Sequence, residues 1–329
     1  MRFPVLDMHC DLLSYLARIP DANAYAKDDI ACAIPWLQEG NVRTQILAIY
    51  TDVKPESMNL AYKQAEIFSE LLTTYENELT FADAHFFDSW EKQNKIGVIA
   101  SIENAAGLGT ESASWDEIYQ QFERILGKVK KLAYIGLTHH TENRFGGGNY
   151  TEGIGLKDDG RKLLDMMSGK QIPIDFSHTS DLLAEGILNH IDTQKLDIPV
   201  IASHSNFREI WNHPRNLTNE FATEIIHRGG IIGVNFLRAF LDPKVPERLF
   251  DHLIHGFQIG GKKSICFGAD YFYTKDFKDP DRFPFYFPMV ENAGKYPSLI
   301  QSLATKLDEE QLQDLAFSNA LNFFRKNLS

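Results

Sequence analysis

The sequence predicts an α/β chain of the (β/α)8 TIM-barrel class, completed by C-terminal closing helices. Two observations carry this. Eight short apolar runs, rich in β-branched residues, recur along the 329 residues. Segments of helical periodicity separate them. Continuous apolar runs mark strands covered on both faces, hence a parallel sheet. Repeated strand–helix units then favour a closed barrel over an open doubly wound sheet. One barrel accommodates a chain of this length, so a single domain is expected over residues 1–329.

The expected strands are FPVLDMH (3–9), VRTQILAIYT (42–51), KIGVIASIEN (95–104) and LAYIGLTHH (132–140), followed by IPIDFSH (172–178), IPVIASHS (198–205), GIIGVNFL (230–237) and SICFGADY (264–271). The clearest helices, with apolar residues at i, i+3 and i+4, cover 55–75, 115–129, 158–170 and 218–230. Asp and Thr near their starts and Gly near their ends fit capping preferences. The tail from Tyr296 onward reads as the closing helices. No GxGxxG or GxxxxGK[ST] follows any strand, and FGGGN (145–149) reads as a flexible loop rather than a phosphate cradle.

Composition narrows the partners. Lys and Arg number 33 against 45 Asp and Glu, a net charge of −12. Such a chain repels phosphate backbones, which argues against nucleic acid. No run approaches the roughly 18 apolar residues of a membrane span. The N-terminus has no signal-peptide pattern, and the three cysteines (Cys10, Cys32, Cys266) form no CxxC. A cytoplasmic protein without a membrane anchor is the expectation.

The strand ends carry the chemistry. His9 and Asp11 close the first run, Glu103 the third, His139 the fourth, His178 the fifth, His204 the sixth and Asp270 the eighth. In a parallel barrel these ends share one rim, the rim that holds active sites. A lone histidine reads as a structural group, and His85, His190, His213, His227, His252 and His255 are so read. Four histidines and three acids on six of eight strand ends are a different matter. Burying them uncompensated is costly, and a metal centre removes that cost.

The set exceeds the needs of one tetrahedral ion and points to two, roughly 3.5–4 Å apart and sharing a carboxylate. Glu103 lies on the rim between the first and fifth strands and is the natural bridge. His9 and Asp11 would hold one ion, His178 and His204 the other. Nitrogen and oxygen donors without cysteine suit Zn2+, although Mn2+ or Co2+ fit the same ligands. Asp7 and Asp175 lie deeper on their strands and read as structural or orienting groups. Cys10 reads as structural. Glu142 and Asn143, after the fourth strand, read as pocket residues.

At these residues the chain resembles the membrane (renal) dipeptidase family of zinc metallopeptidases, whose barrel is of the amidohydrolase-like, metal-dependent hydrolase type. The matching stretches are DMHCDLL, SIENA, GLTHHTEN, IDFSHTS, VIASHSN, HPRNLT, VNF, GADY, KYPSLIQSLA and NALNFF, in the family's order. The resemblance implies two zinc ions per chain on the five ligands named above. It implies that His139 contacts the substrate near the scissile carbonyl, that Arg215 binds the substrate's C-terminal carboxylate, and that Asp270 is the acid/base. The implied reaction is hydrolysis of dipeptides by a hydroxide between the metals, in a homodimer. A lactam or N-acyl amino acid reaction on the same centre is the alternative. A silent metal-binding barrel is the weaker one, since Glu103 and Asp270 are both present.

Four positions depart from the family pattern. His140 replaces an Asn, FGGGN replaces an Asp-Ser pair, Tyr271-Phe272-Tyr273 replaces Phe-Asp-Gly, and Phe240 stands where some members have tyrosine. These bear on the substrate side chain rather than on the ligands.

Overall fold

All eight apolar runs fold as parallel strands in a computed structural model that describes residues 3–327. The strands are β1 (Val5–Cys10), β2 (Val42–Ile49), β3 (Leu79–Phe81), β4 (Ile96–Ile102), β5 (Leu132–Gly136), β6 (Ile174–Asp175), β7 (Val200–Ile201), β8 (Ile232–Val234) and β9 (Ile265–Phe267). They pair in the order β7-β6-β5-β4-β2-β1-β9-β8. An Ala202–Ile232 bridge then joins the two ends of that path. There the Ala202 N–H donates to the Ile231 carbonyl at 3.0 Å, and the Gly233 N–H donates to the Ala202 carbonyl at 2.8 Å. The ring is therefore closed, as in a TIM barrel.

The strand absent from the sequence reading is β3. It pairs with Ile96–Val98 at the start of β4, on the edge that β5 takes over at Ala100 and Ile102. Three residues, LTF, are too short a run to show a period.

The helices are α1 (Leu12–Arg18), α2 (Ile34–Glu39), α3 (Ser57–Thr74), α4 (Ala84–Asp88), α5 (Trp115–Val129), α6 (Asp158–Met167), α7 (Asp181–Gln194), α8 (Asn219–His227), α9 (Arg238–Leu241), α10 (Arg248–Gln258), α11 (Tyr296–Leu303), α12 (Glu309–Gln313) and α13 (Asn319–Asn327). Local rules explain the better-formed ones. In α5, Ile118, Phe122, Ile125 and Val129 make one buried stripe, and Ser114 and Glu117 form a reciprocal capping box. Ser180 and Thr218 cap α7 and α8 through their hydroxyls. The tail does close the barrel. Phe317, Leu321, Phe323 and Phe324 join Leu6, Met8, Ile46, Ile99 and Tyr134 in one apolar cluster. Among the described residues, no helix is long and apolar enough to cross a membrane.

The glycine run is not a flexible loop. Residues 145–149 are buried, and a Cβ on Gly148 would lie 2.0 Å from the His139 carbonyl oxygen. Glycine is needed there because the chain passes directly against the end of the fourth apolar run.

Candidate metal centre

Closing the ring brings the strand tips together. Glu103 follows β4, and its two carboxylate oxygens face different neighbours. Oε1 lies 3.0 Å from His178 Nε2 and 3.7 Å from both His204 Nε2 and His139 Nε2. Oε2 lies 3.8 Å from His9 Nε2. His9 Nε2 is in turn 3.7 Å from Asp11 Oδ2 and 3.7 Å from Asp270 Oδ1. His178 and His204 point their Nε2 atoms at each other across 3.0 Å. Donors around a tetrahedral ion bonded at about 2.0–2.1 Å sit roughly 3.3 Å apart, so both groups have ligand-like spacing.

The second row of contacts aims these rings. The Tyr134 hydroxyl donates to the Met8 carbonyl at 3.0 Å and lies 2.7 Å from His9 Nδ1. It therefore accepts the Nδ1 proton, and Nε2 is turned to the centre. The Ser203 hydroxyl donates to Asp175 Oδ2 at 2.6 Å and lies 2.7 Å from His204 Nδ1. His204 is fixed the same way, with Asp175 orienting it through Ser203. Such outer partners set tautomer and ring direction in metal sites. Asp7 serves structure by accepting the His9 and Ala269 backbone N–H groups.

Asp270 is held with unusual care. Its φ of 63° lies in the left-handed region, where a non-glycine residue is uncommon. Asn235 Nδ2 donates to Oδ2 at 2.7 Å, the Asp270 N–H donates to the His9 carbonyl, and the Tyr286 hydroxyl donates to the Asp270 carbonyl. Oδ1 is left facing His9.

The electrostatics set the two sides of the cluster apart. His9 Nε2, Asp11 Oδ1 and Glu103 Oε2 are buried atoms without a hydrogen-bond partner. Burial opposes a charge on His9, yet the carboxylates of Glu103, Asp11 and Asp270 overcome it and push its pKa up to about 10. Burial raises Glu103, and neighbouring Asp11 adds to the rise. Burial also lifts Asp270 to about 6. It lowers His139, His178 and His204, helped by nearby positive groups including Arg215. Orphaned carboxylate oxygens beside imidazole nitrogens turned into the cluster form a donor set that fits divalent cations.

Above the centre opens a cavity of about 400 Å³. Asp11, Glu103, His139, His178 and Asp270 form its floor, and Tyr50, His140, Phe240, Phe272 and Tyr273 stand among its walls. Three of the sequence departures thus face the cavity.

Two of the expected substrate contacts are not among the residues lining the cavity. Asn143 is buried. Its amide donates to Asn104 Oδ1 at 2.9 Å and to the Leu137 carbonyl at 2.7 Å, and its oxygen accepts the Phe145 N–H. It shapes the loop and is not among the residues lining the cavity. Arg215 is also buried behind the floor and outside that lining, with Nη1 on Ser205 Oγ and Nη2 on the His204 carbonyl. The sequence reading missed Tyr134, Ser203 and Asn235. Only Asn235 carried a signal, as a polar residue at the tip of the seventh apolar run.

A family model for membrane dipeptidases, peptidase family M19, matches residues 1–328. The chain belongs to that family. Among M19 and related proteins, dipeptidase 3 of Mus musculus is 25% identical over 98% of this chain and 64% of its own length. An uncharacterized dipeptidase of Schizosaccharomyces pombe is 26% identical over 80% of this chain and 61% of its own length. The chain thus spans less than two thirds of these relatives. The crystal structure of the M19 metallopeptidase called dipeptidase AC superposes with a TM-score of 0.82 at 20% identity, covering 99% of both chains. A Rhodobacter sphaeroides metallopeptidase, liganded with a phosphinate mimic of the dipeptide L-Ala-D-Ala, gives 0.82 at 19% identity over 99% of this chain and 100% of its own. The M19 fold is shared along the whole barrel.

Proposed function

We propose that this M19 chain is a dipeptidase that hydrolyses the peptide bond of short substrates on a centre of two divalent ions, zinc first among them. The observation that carries the reading is the two-sided Glu103. One oxygen faces His178 and His204, and the other faces His9. His9 and Asp11 would hold one ion and His178 and His204 the other, with Glu103 between. Bound there, such ions supply Lewis-acid polarisation of a carbonyl and lower the pKa of water to roughly 7.

The chain's own groups do the rest. Asp270, with Oδ2 held by Asn235 and its pKa near 6, is poised to take a proton from water and return it to the leaving amine. His139 lines the cavity 3.7 Å from Glu103 Oε1, placed to donate an N–H to the developing oxyanion. Arg215 places positive charge behind the His178 side of the floor, at the carboxylate end of the substrate. The cavity walls limit substrate length.

Dipeptide, tripeptide and N-acyl amino acid panels, assayed on the zinc-loaded protein, test this reading. Cleavage of dipeptides with tripeptides left intact is expected. Cleavage of N-acyl amino acids or lactams alone would move the reaction to the alternative amide class.

A further inference from the structure

The arm that follows β9 carries a cation that the reaction above does not use. Arg282 lines the cavity together with Phe272, Tyr273 and Phe277 of the same arm. Its guanidinium stacks 4.4 Å from the Phe277 ring centre and 5.1 Å from that of Phe285. Stacking occupies the faces of the guanidinium and leaves its in-plane N–H donors free. Among the described residues no carboxylate pairs with it. Arg18, the other guanidinium lining the cavity, is by contrast already paired with Asp52 at 3.8 Å. Asp276 lines the same cavity as Arg282, and no ion pair joins the two.

Its position locates the subsite. Phe240 of α9 lines the cavity, and the Arg215 guanidinium lies 5.4 Å over its ring. Arg238 of the same helix donates to the Asp281 and Phe283 carbonyls on either side of Arg282. Both Arg215 and Arg282 therefore border the α9 edge of the cavity, the edge assigned above to the substrate's carboxylate end. His140 lines the cavity as well. Tyr150 stacks on it at 4.5 Å.

We infer that Arg282 is a specificity-determining residue that receives an acidic side chain on the C-terminal residue of the substrate. The inference rests on the dipeptidase reading of the cavity. A carboxylate meets the planar fork of donors with two parallel hydrogen bonds, and an amide of the same shape cannot match that charge. The aromatic wall holds the fork in place.

The test compares isosteric substrates. L-Ala-L-Glu and L-Ala-L-Gln, with their L-D counterparts, are assayed on the zinc-loaded wild type, Arg282→Gln and Arg282→Lys. Wild type is expected to favour the Glu member by about tenfold or more in kcat/KM. Arg282→Gln is expected to bring the ratio to within about twofold of unity, mainly through KM, and Arg282→Lys to keep part of it. A wild-type ratio near one, or a ratio unchanged in Arg282→Gln, overturns the assignment. If no dipeptide is cleaved, the dipeptidase reading itself fails. Calorimetric binding of Glu- and Gln-bearing phosphinate dipeptide mimics then decides the role of Arg282. A preference for Glu that Arg282→Gln abolishes supports it, and equal binding by wild type overturns it.

Discussion

The two halves of the rim use the same side chain in opposite states. On the side of β1 and β9, His9 sits among Asp11, Glu103 and Asp270, and their charges raise its pKa to about 10. On the side of β6 and β7, His178 and His204 sit among other imidazoles and Arg215, and burial drives their pKa values down. The first half is rich in carboxylate and holds a proton at neutral pH. The second holds neutral imidazoles. What separates them is which charges the strand order brings near, since each histidine ends an apolar run in the same way. Glu103 belongs to both halves.

The largest effect is expected at Asp270. It lies beside the acid-rich half but is read as the proton carrier rather than a ligand. Asp270→Asn is expected to cut kcat by about 10²–10⁴ while metal content, read by mass spectrometry of the digested protein, stays near wild type. Loss of metal together with rate would make Asp270 a ligand instead.

The outer partners allow each half to be weakened alone. Tyr134→Phe removes the acceptor of the His9 Nδ1 proton, and Ser203→Ala removes that of His204. Each change is expected to lower the affinity of its own half for zinc by about 10–100-fold, with the other half little affected, in a competition titration against a chelator. Equal weakening of both halves by either variant would mean that the centre behaves as one unit.

Protons sharpen the contrast further. An ion entering the acid-rich half must displace the proton that His9 holds up to about pH 10. Its affinity should therefore fall as pH falls, by about tenfold per unit below that pH. An ion entering the histidine half meets neutral imidazoles and displaces none from them near neutrality. Calorimetry in buffers of different ionisation enthalpy counts the released protons. One binding step is expected to release at least one proton and the other close to none. Equal release in both steps would erase the distinction.

Much of this was legible in the sequence because of where the polar residues fall. Seven polar groups stood at the tips of apolar runs, and a parallel barrel gathers such tips wherever they lie in the chain. His9, Glu103, His178 and His204 meet for that reason. What stayed hidden depends on register and on loop paths. Tyr134 reaches His9 from inside an apolar run, where tyrosine reads as core. Ser203 was masked by the histidine after it. Asn143 looked like a pocket residue by its place after the fourth run, but a turn folds its amide onto Leu137 and Asn104. The FGGGN run looked mobile because glycine permits both loose loops and close packing. Arg282 lies in an arm with no period to read.

On this reading the single carboxylate of Glu103 serves both halves of the rim. The most direct measurement is the zinc content per chain of wild type and of Glu103→Gln after reconstitution with excess zinc and removal of free metal. About two zinc ions per wild-type chain are expected, falling below one in the variant as both halves lose their shared ligand. A wild type that holds at most one ion, or a Glu103→Gln chain that still holds two, would contradict it.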